Sequence, residues 1–110
     1  MIAFAHVAAV LALWCPTQQV APGAQQLITV TAPTARATYA AARIWTRAGD
    51  CWKPSGGPYI ARVGRNGVRV DKREGDGATP AGTFGILPRM YGNSPNPGVR
   101  FRYVRLRCGD

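Results

Sequence analysis

A chain of 110 residues has room for one small domain and no more. The composition is that of a globular protein, 46% hydrophobic and 17% charged, and no low-complexity tract interrupts it. A balance of 14 Lys+Arg against 5 Asp+Glu, a net charge of +9, favours a polyanionic neighbour: nucleic acid, a membrane surface or an anionic wall polymer.

The basic residues avoid the front of the chain. Residues 1–35 carry no charged side chain, and the first is Arg36. Ile2 to Trp14 is an apolar run, too short for an ordinary membrane span, followed by a polar segment ending at Pro22-Gly23-Ala24. This pattern fits a secretory leader over residues 1–24, leaving 25–110 as the mature part with no further membrane span. Two features fit poorly: no Lys or Arg precedes the run, and Pro22 sits close to a cut after Ala24. A buried strand or helix, or a misplaced start codon, is the alternative. Trp14 stands where a small residue must precede a lipidated cysteine, so Cys15 is not read as a lipid anchor. With the leader removed, Cys51 and Cys108 remain. They are either one disulfide, worth about 4 kcal/mol in an oxidising compartment, or two unpaired thiols.

Further along, Gln26 to Ala32 reads as a strand with Ile28, Val30 and Ala32 on one face, ended by Pro33. Arg36 to Arg47 is ambiguous, because its alanines favour helix. The turn signal Ala48-Gly49-Asp50, with Trp45 and Trp52 flanking it, favours a β-hairpin. Lys53 to Pro58 is a loop by composition. Tyr59 to Arg65 and Val68 to Lys72 are β-rich runs around Asn66-Gly67, which predicts a hairpin through a type I′ turn. Gly75 to Pro80 is a turn-rich connection into a strand at Thr83 to Leu87, and Gly92 to Gly98 is a surface loop. Arg100 to Cys108 reads as a last strand whose alternation changes midway, as a bulge near Val104 would produce. The predicted fold is mainly β, with short strands and Gly/Pro turns.

Catalytic chemistry is sparse. The single histidine, His6, lies in the expected leader, so the mature part has no imidazole for a Ser-His or Cys-His pair or a zinc site. Cys51 and Cys108 lack thiolate-metal spacing. Asp71, Glu74 and Asp76 lack the spacing of a calcium loop. No metal site and no cofactor are expected, and on local chemistry the acidic stretch reads as a solvated turn.

A resemblance enters with Val63-Gly64-Arg65-Asn66-Gly67 and the run Lys72-Arg73-Glu74-Gly75-Asp76-Gly77-Ala78-Thr79-Pro80-Ala81-Gly82-Thr83-Phe84. Together they resemble the L,D-transpeptidase (YkuD-type) family pattern, an Asn-Gly hairpin followed by Lys-x-Glu-Gly-Asp-Gly-x-Thr-Pro-x-Gly-x-Phe. Met90-Tyr91-Gly92-Asn93 and Cys108-Gly109-Asp110 are similar to one extracytoplasmic branch, so the likeness spans about residues 26–110. It implies a β-sandwich, peptidoglycan stem peptides as partners, a secreted or cell-envelope location, and a cysteine acyl transfer that releases D-alanine. It makes Lys72, Arg73, Asp76 and Thr79 candidates for the substrate groove. Asn66, Gly67, Gly75, Gly77, Pro80, Gly82 and Phe84 become its structural motif, with Phe84 anchoring the next strand.

The departure from the family is as informative as the match. The family nucleophile is a Cys in Ser-x-Gly-Cys, preceded by a His, and neither motif occurs in this sequence; Cys108 follows Arg105-Leu106-Arg107. No catalytic residue is therefore assigned. The expectation is an incomplete sandwich without its catalytic segment, inactive by itself. The competing expectation is a secreted cationic module that binds an anionic wall polymer, motivated by Arg100, Arg102, Arg105 and Arg107. Nucleic-acid binding is set aside because of the leader and because those arginines divide between two strand faces.

Overall fold

The computed structural model describes residues 12–109. The front of the apolar run, His6 included, lies outside them. The described chain is mainly β: β1 (Gln26–Thr31), β2 (Tyr39–Ala48), β3 (Cys51–Arg62), β4 (Val68–Arg69), β5 (Thr79–Pro80), β6 (Arg89–Gly92) and β7 (Arg102–Arg105). They form an antiparallel sheet in the order β1-β2-β3 and two small parallel ribbons, β4-β5 and β6-β7. Among the described residues no helix is long and apolar enough to cross a membrane.

β1 is the predicted strand, rich in β-branched residues and released before Pro33. β2 resolves the ambiguity of the alanine run in favour of strand. It is the central strand, with Thr31↔Ala41 on one side and Ala41↔Ile60 on the other. Ladder hydrogen bonds on both edges outweigh the few tenths of a kcal/mol per residue by which alanine prefers helix. The hairpin also forms as expected. Ala48 pairs with Cys51, and Gly49 alone in the turn has positive φ, 63°, the pattern of a type II′ turn with glycine first.

Four expectations are corrected. Lys53 to Pro58 is not a loop but the middle of β3, where two register shifts absorb the extra residues opposite Ala42 to Trp45. Pro54 and Pro58 fit because β3 is a sheet edge there. Asn66-Gly67 does not make a type I′ hairpin. The turn is Gly64 to Gly67, Gly67 N–H donates to Gly64 C=O at 2.8 Å, and β4 pairs with β5 rather than β3. Only Gly67 of the pair has positive φ, 80°, whereas a type I′ turn needs both. Thr83 to Leu87 is not a strand, since no neighbour offers it a ladder, and Phe84 is exposed rather than anchoring a core. The last run forms a strand only over Arg102–Arg105, in unbroken parallel register with β6, so there is no bulge at Val104.

The fifth correction concerns the cysteines. Cys51 is bonded to Cys15, and Cys108 is an exposed free thiol. The cause is local pairing. Trp14 and Trp52 exchange both backbone hydrogen bonds, 2.9 and 2.8 Å, as an antiparallel bridge. The next pair out, Cys15 and Cys51, is then the non-hydrogen-bonded kind with the closest Cα atoms, 4.3 Å apart. Around this bridge sits the best-buried side chain. Trp52 is 1% exposed, with the Arg47 guanidinium 4.4 Å from its ring centroid. Arg47 also donates to the carbonyls of Ala21 and Ala24, and the Trp14 and Trp45 rings meet at 5.4 Å. One arginine thus ties the segment before β1 to the face of the hairpin.

The disulfide spans 36 residues, so the chain-entropy model assigns it about 4 kcal/mol. Reduction, or Cys15→Ser, is expected to lower the unfolding free energy by roughly that amount in a urea titration followed by tryptophan fluorescence, whereas Cys108→Ser leaves it unchanged.

Candidate functional site

The motif that carries the family resemblance folds into one hydrogen-bonded unit, residues 64–81. Its base is the Gly64–Gly67 turn. Asn66 N–H donates to Gly77 C=O at 3.0 Å and Asn66 Nδ2 to Asp76 C=O at 2.8 Å. Thr79 closes it from the other side: its Oγ1 accepts from Gly64 N–H at 2.8 Å, and its own N–H donates to Gly67 C=O at 2.8 Å. Val68 N–H reaches Ala35 C=O at 2.9 Å and so fastens the unit to the segment before β2. Two glycines are obligatory on geometry. A Cβ on Gly64 would collide with the Gly77 carbonyl, and one on Gly67, already at positive φ, with the Ala35 carbonyl.

Asp76 organises the loop between β4 and β5. Its carboxylate accepts from Lys72 Nζ at 2.8 Å, Arg73 N–H at 2.8 Å and Ala78 N–H at 2.9 Å. The bond from the Lys72 ammonium, then those from the two amides, hold its pKa well below the usual carboxylate range. Lys72 donates as well to Arg73 C=O at 3.0 Å. Lys72 and Asp76 therefore face each other and the loop backbone.

Beside this unit runs an open cleft of about 700 Å³. One wall is β1, Leu27 to Thr31, which among the described residues has no partner strand on its outer side; the other is Thr79 to Phe84. Ala61, Arg62, Val63 and Val68 line it as well, as do Trp14 and Val20. Of the groove candidates Lys72, Arg73, Asp76 and Thr79, only Thr79 lines this cleft, as do Pro80, Gly82 and Phe84 of the structural motif. The Phe84 ring lies over Gly82. Asn66, Gly67, Gly75 and Gly77 belong to the loop that presents the wall.

Among the lining residues Arg62 is the cation, its guanidinium 3.9 Å from the centroid of the Tyr39 ring. Sequence reasoning missed it, and no motif marks it. It also missed the Trp14-Cys15 clasp, although Trp14-Cys15 and Cys51-Trp52 are inverted dipeptides, the signature of an antiparallel pair. Among the described residues no group of three or more His, Cys, Asp or Glu side chains is placed to hold a metal. No protein-family model, curated protein or solved structure matches the chain.

Gly67→Val is expected to destabilise by about 1–3 kcal/mol, through strain at positive φ together with the Ala35 contact; the shift of the urea midpoint measures it. Asp76 supplies a pH dependence. Its folded pKa is depressed, so its contribution is complete above the ordinary Asp value of about 3.9 and is lost progressively as the pH falls below it. Asp76→Asn should therefore lower the urea midpoint at pH 7, and the gap from the unmodified chain should narrow as both are titrated into acid.

Proposed function

We propose that the cleft between β1 and Thr79–Phe84 receives a peptidoglycan stem peptide, in a protein of L,D-transpeptidase (YkuD-type) character acting at the cell envelope. The observation that carries this reading is the fold of the motif. The residues resembling the family pattern build one unit, and its exit segment, Thr79 to Phe84, walls a cleft along a strand edge that is unpaired among the described residues. β1 has six residues, about 20 Å of extended chain, long enough to pair with a tetrapeptide by strand addition. Arg62 offers a cation to a carboxylate of the stem peptide. In this reading the β1-β2-β3 sheet is one layer of the family's sandwich. The Cys15–Cys51 disulfide is compatible with an oxidising, extracytoplasmic compartment, and it requires that Cys15 stay on the exported chain rather than leave with a leader cut after Ala24.

Acyl transfer in that family requires a thiolate activated by an imidazole. The described residues offer one free thiol, Cys108, outside the family's Ser-x-Gly-Cys context, and no histidine. The part assigned to them is therefore substrate recognition. The second reading, a cationic module for an anionic wall polymer, draws on Arg89, Arg100, Arg102, Arg105 and Arg107, with no carboxylate anywhere in residues 77–109.

Titrating a disaccharide-tetrapeptide into isotope-labelled protein separates the two. Amide shifts confined to residues 27–31 and 79–84, weakened about tenfold or more by Arg62→Gln as for a charge-assisted hydrogen bond, are the expected result. Mass spectrometry of the same mixture should detect no D-alanine. Shifts confined to residues 89–107 would move the assignment to polymer binding. D-alanine release abolished by Cys108→Ala would give Cys108 the chemistry instead.

A further inference from the structure

The β6-β7 ribbon carries a surface that the cleft does not use. Its strands are parallel, so the residues preceding each, Ile86-Leu87 and Arg100-Phe101, lie at the same end. At that end Arg89 stands opposite Arg102 in the ladder, so two like charges share one register position, and the Arg89 guanidinium donates to the Tyr91 hydroxyl at 3.3 Å on its own strand. Such a pair is destabilising in isolation, and the sequence supplies no carboxylate between Gly77 and Gly109 to offset it. Ile86 is 80% exposed and Leu87 75%, and Phe101 is exposed beside them. The tip therefore combines bare aliphatic and aromatic side chains with a rim of arginines.

We propose that this tip docks on an anionic lipid bilayer, with Ile86, Leu87 and Phe101 entering the interface and Arg89, Arg100 and Arg102 meeting lipid phosphates. Charge complementarity selects an anionic partner. The exposed aliphatic pair selects a bilayer over a soluble polyanion, because a wall polymer or nucleic acid satisfies arginines but leaves Ile86 and Leu87 in water. The far end of the ribbon is held by protein contacts: Arg105 Nε donates to Asn93 C=O at 3.2 Å, the Tyr103 hydroxyl to Ser94 C=O, and Leu106 N–H to Gly92 C=O at 2.9 Å. Asn93 and Ser94 are thereby held at the far end, and the chain returns from there to the tip to enter β7. This site stands independently of the stem-peptide reading.

Co-sedimentation of the full chain with vesicles tests it. The chain should pellet with phosphatidylcholine vesicles containing phosphatidylglycerol and stay in solution with phosphatidylcholine alone. Arg89→Gln/Arg102→Gln should weaken partitioning about thirtyfold, the worth of two arginines at such a surface. Ile86→Ser/Leu87→Ser should remove the part of the binding that survives added salt, whereas the matched pair Arg36→Gln/Arg43→Gln, on exposed residues elsewhere, should bind normally. All the substituted side chains are exposed, and unchanged circular dichroism spectra verify the folds. Three results would each overturn the assignment: no pelleting with anionic vesicles, equal loss in the matched pair, or binding that ignores Ile86→Ser/Leu87→Ser and is fully competed by a soluble DNA duplex or anionic polymer.

Discussion

Trp52 is enclosed on three sides by different kinds of contact, and the long hairpin inherits its position from them. The Trp14 backbone bridges to it, the Arg47 guanidinium lies over its ring, and the Cys15–Cys51 bond locks the adjacent pair. Truncating such a side chain costs about 3–5 kcal/mol, a large share of a small domain's stability. Arg47 then carries the order outward through the carbonyls of Ala21 and Ala24, and Arg47 N–H pairs with Gln25 C=O at 2.9 Å where β1 enters the sheet. The cleft depends on this chain of contacts. Its β1 wall is placed by the same arginine that covers Trp52.

The second wall is held in another way. Residues 64–81 bury little apolar surface, Ala78 being the buried side chain, and are ordered by hydrogen bonds between backbone groups and the side chains of Asn66, Asp76 and Thr79. These bonds lie at or near the surface, where water can replace a lost partner, so the loop owes its order to many modest bonds together with the two glycines that let its backbone pack closely. A run of Gly, Asp, Thr and Pro that looks like a solvated turn is thus a hydrogen-bonded bracket. Its polar side chains point at their own loop, and the segment it positions, Thr79 to Phe84, faces the cleft.

Legibility followed the range of the interaction. β1 and the Gly49-Asp50 turn were readable because β-branched alternation and turn glycines act within a few residues. Lys53 to Pro58 was not, because Pro and Gly there report bulges in a strand whose existence depends on pairing with β2. Asn66-Gly67 misled for a similar reason. Gly67 is needed against the distant Ala35 carbonyl, and Asn66 for its bonds to Asp76 and Gly77, so the dipeptide serves a tertiary contact rather than a hairpin. The Cys15–Cys51 bond was not among the alternatives, a Cys51–Cys108 disulfide or two unpaired thiols, because the leader reading set Cys15 aside. Within the site, Thr79, Pro80, Gly82 and Phe84 were singled out and line the cleft, while Arg62 carries no local signal at all.

The distribution of apolar surface separates the two ends of the molecule. Around Trp52 the apolar side chains meet one another, whereas Phe84, Ile86 and Leu87 and the residues at the mouth of the β6-β7 ribbon stay in water. A small chain with a thin core is held by cross-links and backbone bonds, and its remaining large apolar residues are free to serve contacts outside it. The arginines follow the same division. Arg47 sits at the core and Arg62 at the cleft, each over an aromatic ring, while Arg89 and Arg102 are set side by side with no carboxylate within residues 77–109. Cations that stabilise the fold are paired with protein groups. At the ribbon tip Arg89 stands opposite Arg102 and has the neutral Tyr91 hydroxyl as its partner, so an external anion would relieve the like charge there.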